Sequence, residues 1–281
     1  MRLVCSICVL AACLVFAPGV KGEIVSTKNF FVVAPDELLA AEVLREAELL
    51  RKHIALAYLG KELPAGVGQT IISVELSDTE DRATFWPVDH PLRKRHRLWL
   101  TTSRESATGP KLAHEITHLV LRVRYGDQLP AWVDEGFASM QDGPERVAIR
   151  ERILQDASFV RRWPIAEVIA RRDRISAHDQ DAYAAAASLT RFLVARSDAP
   201  QTLEFASQGA KLGWDQAART SYGMSLSELE SGWHRWLVSR RPAVAAVPYR
   251  VPLSSSWRIE TAREADAPMV PVSVSRWRTL R

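Results

Sequence analysis

The sequence predicts an α+β protein built in two lobes, on three observations. Strand-like segments are confined to the region before Thr102, where they alternate with one long amphipathic helix. From Thr108 to about residue 240 nearly every segment has helical spacing. The composition, 47% hydrophobic and 25% charged with 13 Gly and 15 Pro over 281 residues, is that of a chain with ample apolar residues for a core. It excludes collagen-like, low-complexity and wholly disordered classes. A net charge of +4, from 37 Lys and Arg against 33 Asp and Glu, is too small an excess to indicate nucleic acid, and no DNA- or RNA-binding motif is present.

The segment 1–22 reads as a leader. Arg2 precedes a stretch that is apolar from Leu3 to Ala17 except at Ser6, and Pro18-Gly19 follows it. That stretch falls short of the roughly 20 residues a bilayer span needs, and it suits the apolar region of a secretory signal. Val20-Lys21-Gly22 supplies small residues for cleavage. The expected location is therefore periplasmic or extracellular. A lipid-anchored alternative rests on Leu10-Ala11-Ala12-Cys13, which resembles a lipoprotein processing box, and it is the only route by which a membrane enters this reading. Cys5, Cys8 and Cys13 all lie in the leader, so the mature chain contains no cysteine and has net charge +2. Cysteine nucleophiles, thiolate metal sites and disulfides are thereby excluded from it.

The N-terminal lobe, 23–105, begins with a strand at Asn29-Phe30-Phe31-Val32-Val33. Pro35-Asp36 then opens a helix over 36–59, whose Leu38, Leu39, Val43, Leu49, Leu50, Ile54 and Leu56 recur near helical spacing until Gly60 closes it. Further strands are expected at 70–76 and 97–101. Between them lies a turn-rich stretch with Pro87, Pro91 and the basic run Arg93-Lys94-Arg95-His96-Arg97. That run reads as a solvated hairpin or loop, with a basic lip over a cleft as the sharper alternative.

The helical region, 106–240, opens with a helix over 110–125, bracketed by Pro110 and Gly126. Pro130 and Gly143 bracket the next, over 131–141. Further helices are expected at about 144–158, 164–171, 181–196, 200–212 and 226–239. The tail, 241–281, carries Pro248, Pro252, Ser254-Ser255-Ser256, Pro268 and Pro271, and reads as extended.

One segment carries chemistry. His114-Glu115-Ile116-Thr117-His118 places two imidazoles four residues apart, so on a helix both project from one face and can reach one metal ion. Glu115 lies about 100° round that helix, close enough to contact a water on the metal without ligating it. The next helix, in Leu129-Pro130-Ala131-Trp132-Val133-Asp134-Glu135-Gly136-Phe137-Ala138, would return antiparallel and bring Glu135 level with the histidines. An acid among apolar neighbours such as Trp132 and Phe137 needs a partner to be buried, and a metal on His114, His118 and Glu135 would supply it. Gly136 would let the backbones approach closely. Asp134 reads as a solvated helix acid, with a bond to a liganding histidine as the alternative.

His114-Glu115-Ile116-Thr117-His118, followed after sixteen residues by Glu135 in Trp132-Val133-Asp134-Glu135-Gly136-Phe137-Ala138, resembles the gluzincin metallopeptidases, the superfamily of thermolysin and aminopeptidase N. Within that superfamily, the run from Leu129 to Ala138 most resembles the compact peptidase-MA-like proteins. The likeness extends more weakly to Tyr183 and to Tyr222-Gly223-Met224-Ser225-Leu226-Ser227-Glu228-Leu229 before Trp233. It implies a zincin-like fold, a Zn2+ cofactor on His114, His118 and Glu135, and peptide or protein substrates. It also implies an exported zinc-dependent peptide hydrolase in which Glu115 assists attack of a zinc-bound water on a peptide carbonyl. Tyr183 stands where relatives carry a tyrosine that stabilises the transition state. A protonated phenol, with its ordinary pKa of about 10, can donate to an oxyanion; the other readings are a core tyrosine here, or His178 in that role.

The spacer before Glu135 is shorter than in the aminopeptidase branch, and no motif for binding a free amino terminus precedes His114, so aminopeptidase activity is not implied. Substrate backbone is expected to pair along the strand 97–101. The alternative function is a catalytically inactive zinc-binding scaffold or partner-binding protein; zinc-dependent hydrolysis of a non-peptide amide or epoxide is a third.

Overall fold

The computed structural model describes residues 22–88, 95–156, 159, 163–171, 174–176 and 178–239. The leader up to Lys21, the tail 241–281, and Arg93 and Lys94 of the basic run lie outside the described residues. The chain is mixed α+β, with all its described strands before Ser103 and helices following from Pro110 onward.

Five strands form one sheet in the order β1-β2-β3-β5-β4. They are β1 (Glu23–Ser26), β2 (Phe30–Ala34), β3 (Thr70–Leu76), β4 (Arg82–Trp86) and β5 (His96–Thr102). β2, β3 and β5 run parallel; β1 and β4 are antiparallel edge strands. A parallel β2–β3 pair needs a crossover, and α1 (Glu37–Leu59) provides it. Asp36 caps α1 by accepting from the Leu39 amide at 2.9 Å, and Gly60 closes it in the left-handed region at φ 70°. The core lies between the sheet face bearing Phe30, Val32, Ile72, Leu98 and Leu100 and the apolar faces of α1 and α2 (Pro110–Tyr125).

Two strands escaped the sequence reading. β1 is only four residues long, and β4 lies inside the stretch expected to be turns, its Arg82 and Thr84 masking a short alternating pattern. β4 and β5 do form a hairpin, as read for the basic run, but the run is not solvated throughout. His96 opens β5 on the covered face, 2% exposed, with its ring against Phe85. The strand expected as a substrate edge is also corrected, because β5 pairs with β3 on one side and β4 on the other. On that side of the sheet the free edge, among the described residues, belongs to β4.

The remaining helices are α3 (Ala131–Ser139), α4 (Pro144–Leu154), α5 (Ile165–Ala170), α6 (Gln180–Arg196), α7 (Ala199–Leu212), α8 (Trp214–Tyr222) and α9 (Leu226–Ser239). α3 is two residues shorter than expected, because the chain turns at Met140 before Gly143. α4 ends at Leu154; 157 and 158, to which it was expected to run, lie outside the described residues. α8 was not anticipated: Gly213 and Gly223, at φ 94° and 67°, isolate a single short helix whose Trp214 ring packs against Phe205 and Trp132. No described helix is long and apolar enough to cross a membrane.

Candidate metal centre

α2 and α3 deliver the three expected ligands to one point. His114 Nε2 and His118 Nε2 lie 3.8 and 3.6 Å from the same Glu135 oxygen, Oε2. One ligand atom from each of the three residues falls within 4.8 Å of the others, so the group could hold a metal ion. Two separations are a few tenths of an ångström wider than the roughly 3.3 Å expected between ligands about 2.0–2.1 Å from one tetrahedral ion.

The donor chemistry fits a cation. Glu135 Oε2 is buried and has no hydrogen-bond partner, which costs free energy unless something positive occupies the point it faces. Burial pushes the Glu135 carboxyl up, with His118 and His114 pulling the other way. Burial also opposes the His118 imidazolium, but Asp134, Glu135 and Glu115 outweigh it and hold that group up to about 10. A field that strong at an imidazole is one in which a divalent ion would be welcome.

Each imidazole is oriented through its other nitrogen. His118 Nδ1 meets Asp134 Oδ2 at 3.0 Å, so Asp134, though its side chain is 37% exposed, takes the alternative expected from sequence, a bond to one of the expected liganding histidines. His114 Nδ1 meets Asp142 Oδ1 at 3.0 Å. Asp142 was missed entirely. It sits in Gln141-Asp142-Gly143-Pro144, which reads as an ordinary turn before a helix, yet it is 2% exposed. Arg150 donates to its other oxygen, and Arg146 Nη1 lies 3.4 Å from Oδ1. Burial would raise the Asp142 carboxyl, but His114, Arg150 and Arg146 together hold it well below the usual range. The available signal was Arg146 and Arg150, four apart on α4 and therefore on one face behind Asp142.

Gly136 does permit a close approach of backbones, as expected. A Cβ there would stand 2.0 Å from Thr190 Oγ1 and 2.9 Å from the Ala186 carbonyl, so the close approach is between α3 and α6. That contact positions Tyr183, on the first turn of α6, where Asp179 caps the helix by accepting from the Ala182 amide at 3.0 Å. The Tyr183 hydroxyl interacts with Glu135 and lies 3.5 Å from the Ile175 carbonyl. Burial, reinforced by the Glu135 carboxylate, pushes the phenol up, so it stays protonated and able to donate. The Arg150 guanidinium lies 5.7 Å from the centre of its ring.

These groups line a cleft of about 580 Å³ whose walls include His114, Glu115, His118, Glu135 and Tyr183. Glu115 is 7% exposed and makes no hydrogen bond to a described residue. Ala83, Thr84 and Phe85 bring the edge strand β4 along one side. His178 is exposed in a turn and is not among the cleft residues. Comparison of the chain with protein-family models, curated proteins and solved structures returned no match.

Proposed function

We propose that this chain is an exported zinc-dependent peptide hydrolase with a zincin-like fold. The observation that carries the reading is the convergence of two imidazole nitrogens and one partnerless carboxylate oxygen in a cleft, with a second carboxylate, Glu115, beside them. His114, His118 and Glu135 would hold the Zn2+, which when bound supplies Lewis-acid polarisation of a carbonyl and lowers the pKa of water.

The chain's own residues do the rest. Glu115 is placed to take a proton from an attacking water and pass it to the leaving amine. Tyr183 can donate to the oxygen on which negative charge develops, and burial of the site strengthens that bond. Asp142 and Asp134 keep each liganding ring in one tautomer and orientation. β4, with its free edge beside the cleft, can pair with an extended peptide, which favours a peptide substrate over a compact one. Export rests on the apolar segment 1–22 and the cysteine-free mature chain.

Zinc content by elemental analysis, with a peptide-library cleavage screen, tests this reading on wild type, E135A and E115Q. The expected result is about one zinc per chain, lost in E135A and kept in E115Q, with cleavage lowered by about 10²–10⁴ in E115Q. Zinc without cleavage would favour the inactive scaffold. Full cleavage by E115Q would sink the mechanism.

A further inference from the structure

The face of the sheet turned away from α1 and α2 carries large apolar side chains among its polar ones. Pairing aligns its side chains in two rows across all five strands. One row runs Ile24, Val33, Ser73, Trp99, Thr84; the next runs Ser26, Phe31, Ile71, Arg97, Trp86. Trp86 and Trp99 are 55% and 42% exposed, Ile24 is also exposed, and Phe31, Val33 and Ile71 are only half-buried. A sheet with one wet face normally turns polar residues outward; here six of the ten outward positions in these two rows are apolar, and two of the six are tryptophans.

The charges around this face have one sign at one end. Arg97 lies within the second row beside Trp86, exposed Arg95 immediately precedes β5, and the Arg174 guanidinium lies 5.7 Å from the Trp86 ring centre. None of the three forms an ion pair with a described residue, whereas Arg82 on the next row is paired with Glu80 at 3.0 Å. Three guanidiniums with no ion-pair partner among the described residues, beside two exposed tryptophans on a broad five-stranded surface, match the chemistry of an anionic bilayer. Indole settles at the boundary between headgroups and acyl chains, and arginine meets phosphate.

We propose that the outer sheet face, centred on Trp86 and Trp99 and bordered by Arg95, Arg97 and Arg174, docks on an anionic lipid surface. Trp86 adjoins Pro87, which lines the cleft, and Arg174 lines it too. Docking would therefore set the cleft mouth at the membrane surface. The proposal does not depend on the hydrolase reading or on lipidation at Cys13.

The experiment is co-sedimentation of the chain from Glu23 to Arg281 with vesicles of phosphatidylcholine alone or with about a third phosphatidylglycerol. Wild type should partition at least about tenfold more to the anionic vesicles, and added salt should weaken that preference. The W86S/W99S pair and the R95E/R97E pair should each lose at least about tenfold of it. Unchanged metal content and thermal melting in both pairs show that the fold is intact; a third variant, R95Q/R97Q, gives a milder charge change if either pair fails to fold. Four outcomes overturn the proposal. They are no preference for anionic vesicles, undiminished binding by folded variants, binding that appears only after removal of 241–281, and self-association in sedimentation equilibrium that W99S abolishes.

Discussion

His114 and His118 stand one helical turn apart on α2, yet they are held in different ways. His114 is backed by Asp142, a carboxylate buried among protein atoms and clamped by Arg150 and Arg146 from α4. His118 is backed by Asp134, whose side chain is 37% exposed and has no cationic partner beyond that imidazole among the described residues. The first arrangement is a network in which the carboxylate and the Arg150 guanidinium are buried and only Arg146 reaches the surface. The second is a single bond at the cleft wall that water can replace. A ligand supported by a buried network is preorganised and costly to disturb, whereas one supported at the surface is adjustable and cheap to disturb.

That asymmetry sets the order of expected effects. The largest should follow Asp142→Ala. It leaves the guanidinium of Arg150, 4% exposed, without its partner and His114 without its orienter. Thermal or denaturant unfolding should show a loss of about 3–5 kcal/mol, and zinc affinity should fall by about 10–100-fold. Equal stability of wild type and variant would break the comparison. Tyr183 belongs to the same side of the site, because Arg150 lies over its ring. Steady-state kinetics of Tyr183→Phe should show kcat lowered by about 10²–10³ with zinc content unchanged; loss of zinc would mean that the hydroxyl is structural.

Asp134→Ala should be milder. Zinc affinity should drop by about tenfold, with stability changed by less than about 1 kcal/mol. If chelator competition gave the two aspartates equal effects, the contrast between a closed and an open support would be wrong.

The smallest effect is expected at the cap of the helix bearing Tyr183. Asp179 bonds the Ala182 amide and pairs with Arg171 at 2.8 Å; burial opposes ionisation, but these partners lower its pKa below the ordinary 3.8. A carboxyl depressed in the folded state contributes stability above its unfolded pKa and loses it as pH falls through the folded one. Asp179→Ala should therefore cost about 1 kcal/mol at neutral pH. The gap should close as pH drops below 3.8. A gap that persists in acid would show that the cap acts through packing.

The grouping of His114, His118 and Glu135, with Glu115 beside them, was legible in the chain because it obeys a local rule. Four residues make one helical turn, so the pairing of His114 with His118 is decided by α2 alone, and α2 announces itself by Pro110, Gly126 and its apolar face. Glu135 needed one further inference, a short return to an antiparallel helix. The same local rules gave α1 its cap at Asp36 and its stop at Gly60, and gave β3 its bounds at 70–76.

What tertiary structure alone decided are the meetings between segments distant in sequence. Asp142 looks like a turn residue until α4 folds Arg150 over it. Gly136 reads as a point of close approach between backbones, and only the fold shows that the partner is α6, with Thr190 where its Cβ would be. β4 hides among Pro and charged residues because an edge strand needs pairing on one side only, so its pattern is short, and which strand keeps a free edge depends on sheet order. Periodicity and capping are written in neighbouring residues and survive in any context. Burial of a carboxylate, or the closing of one backbone on another, depends on which surfaces meet, and no run of neighbouring residues records that.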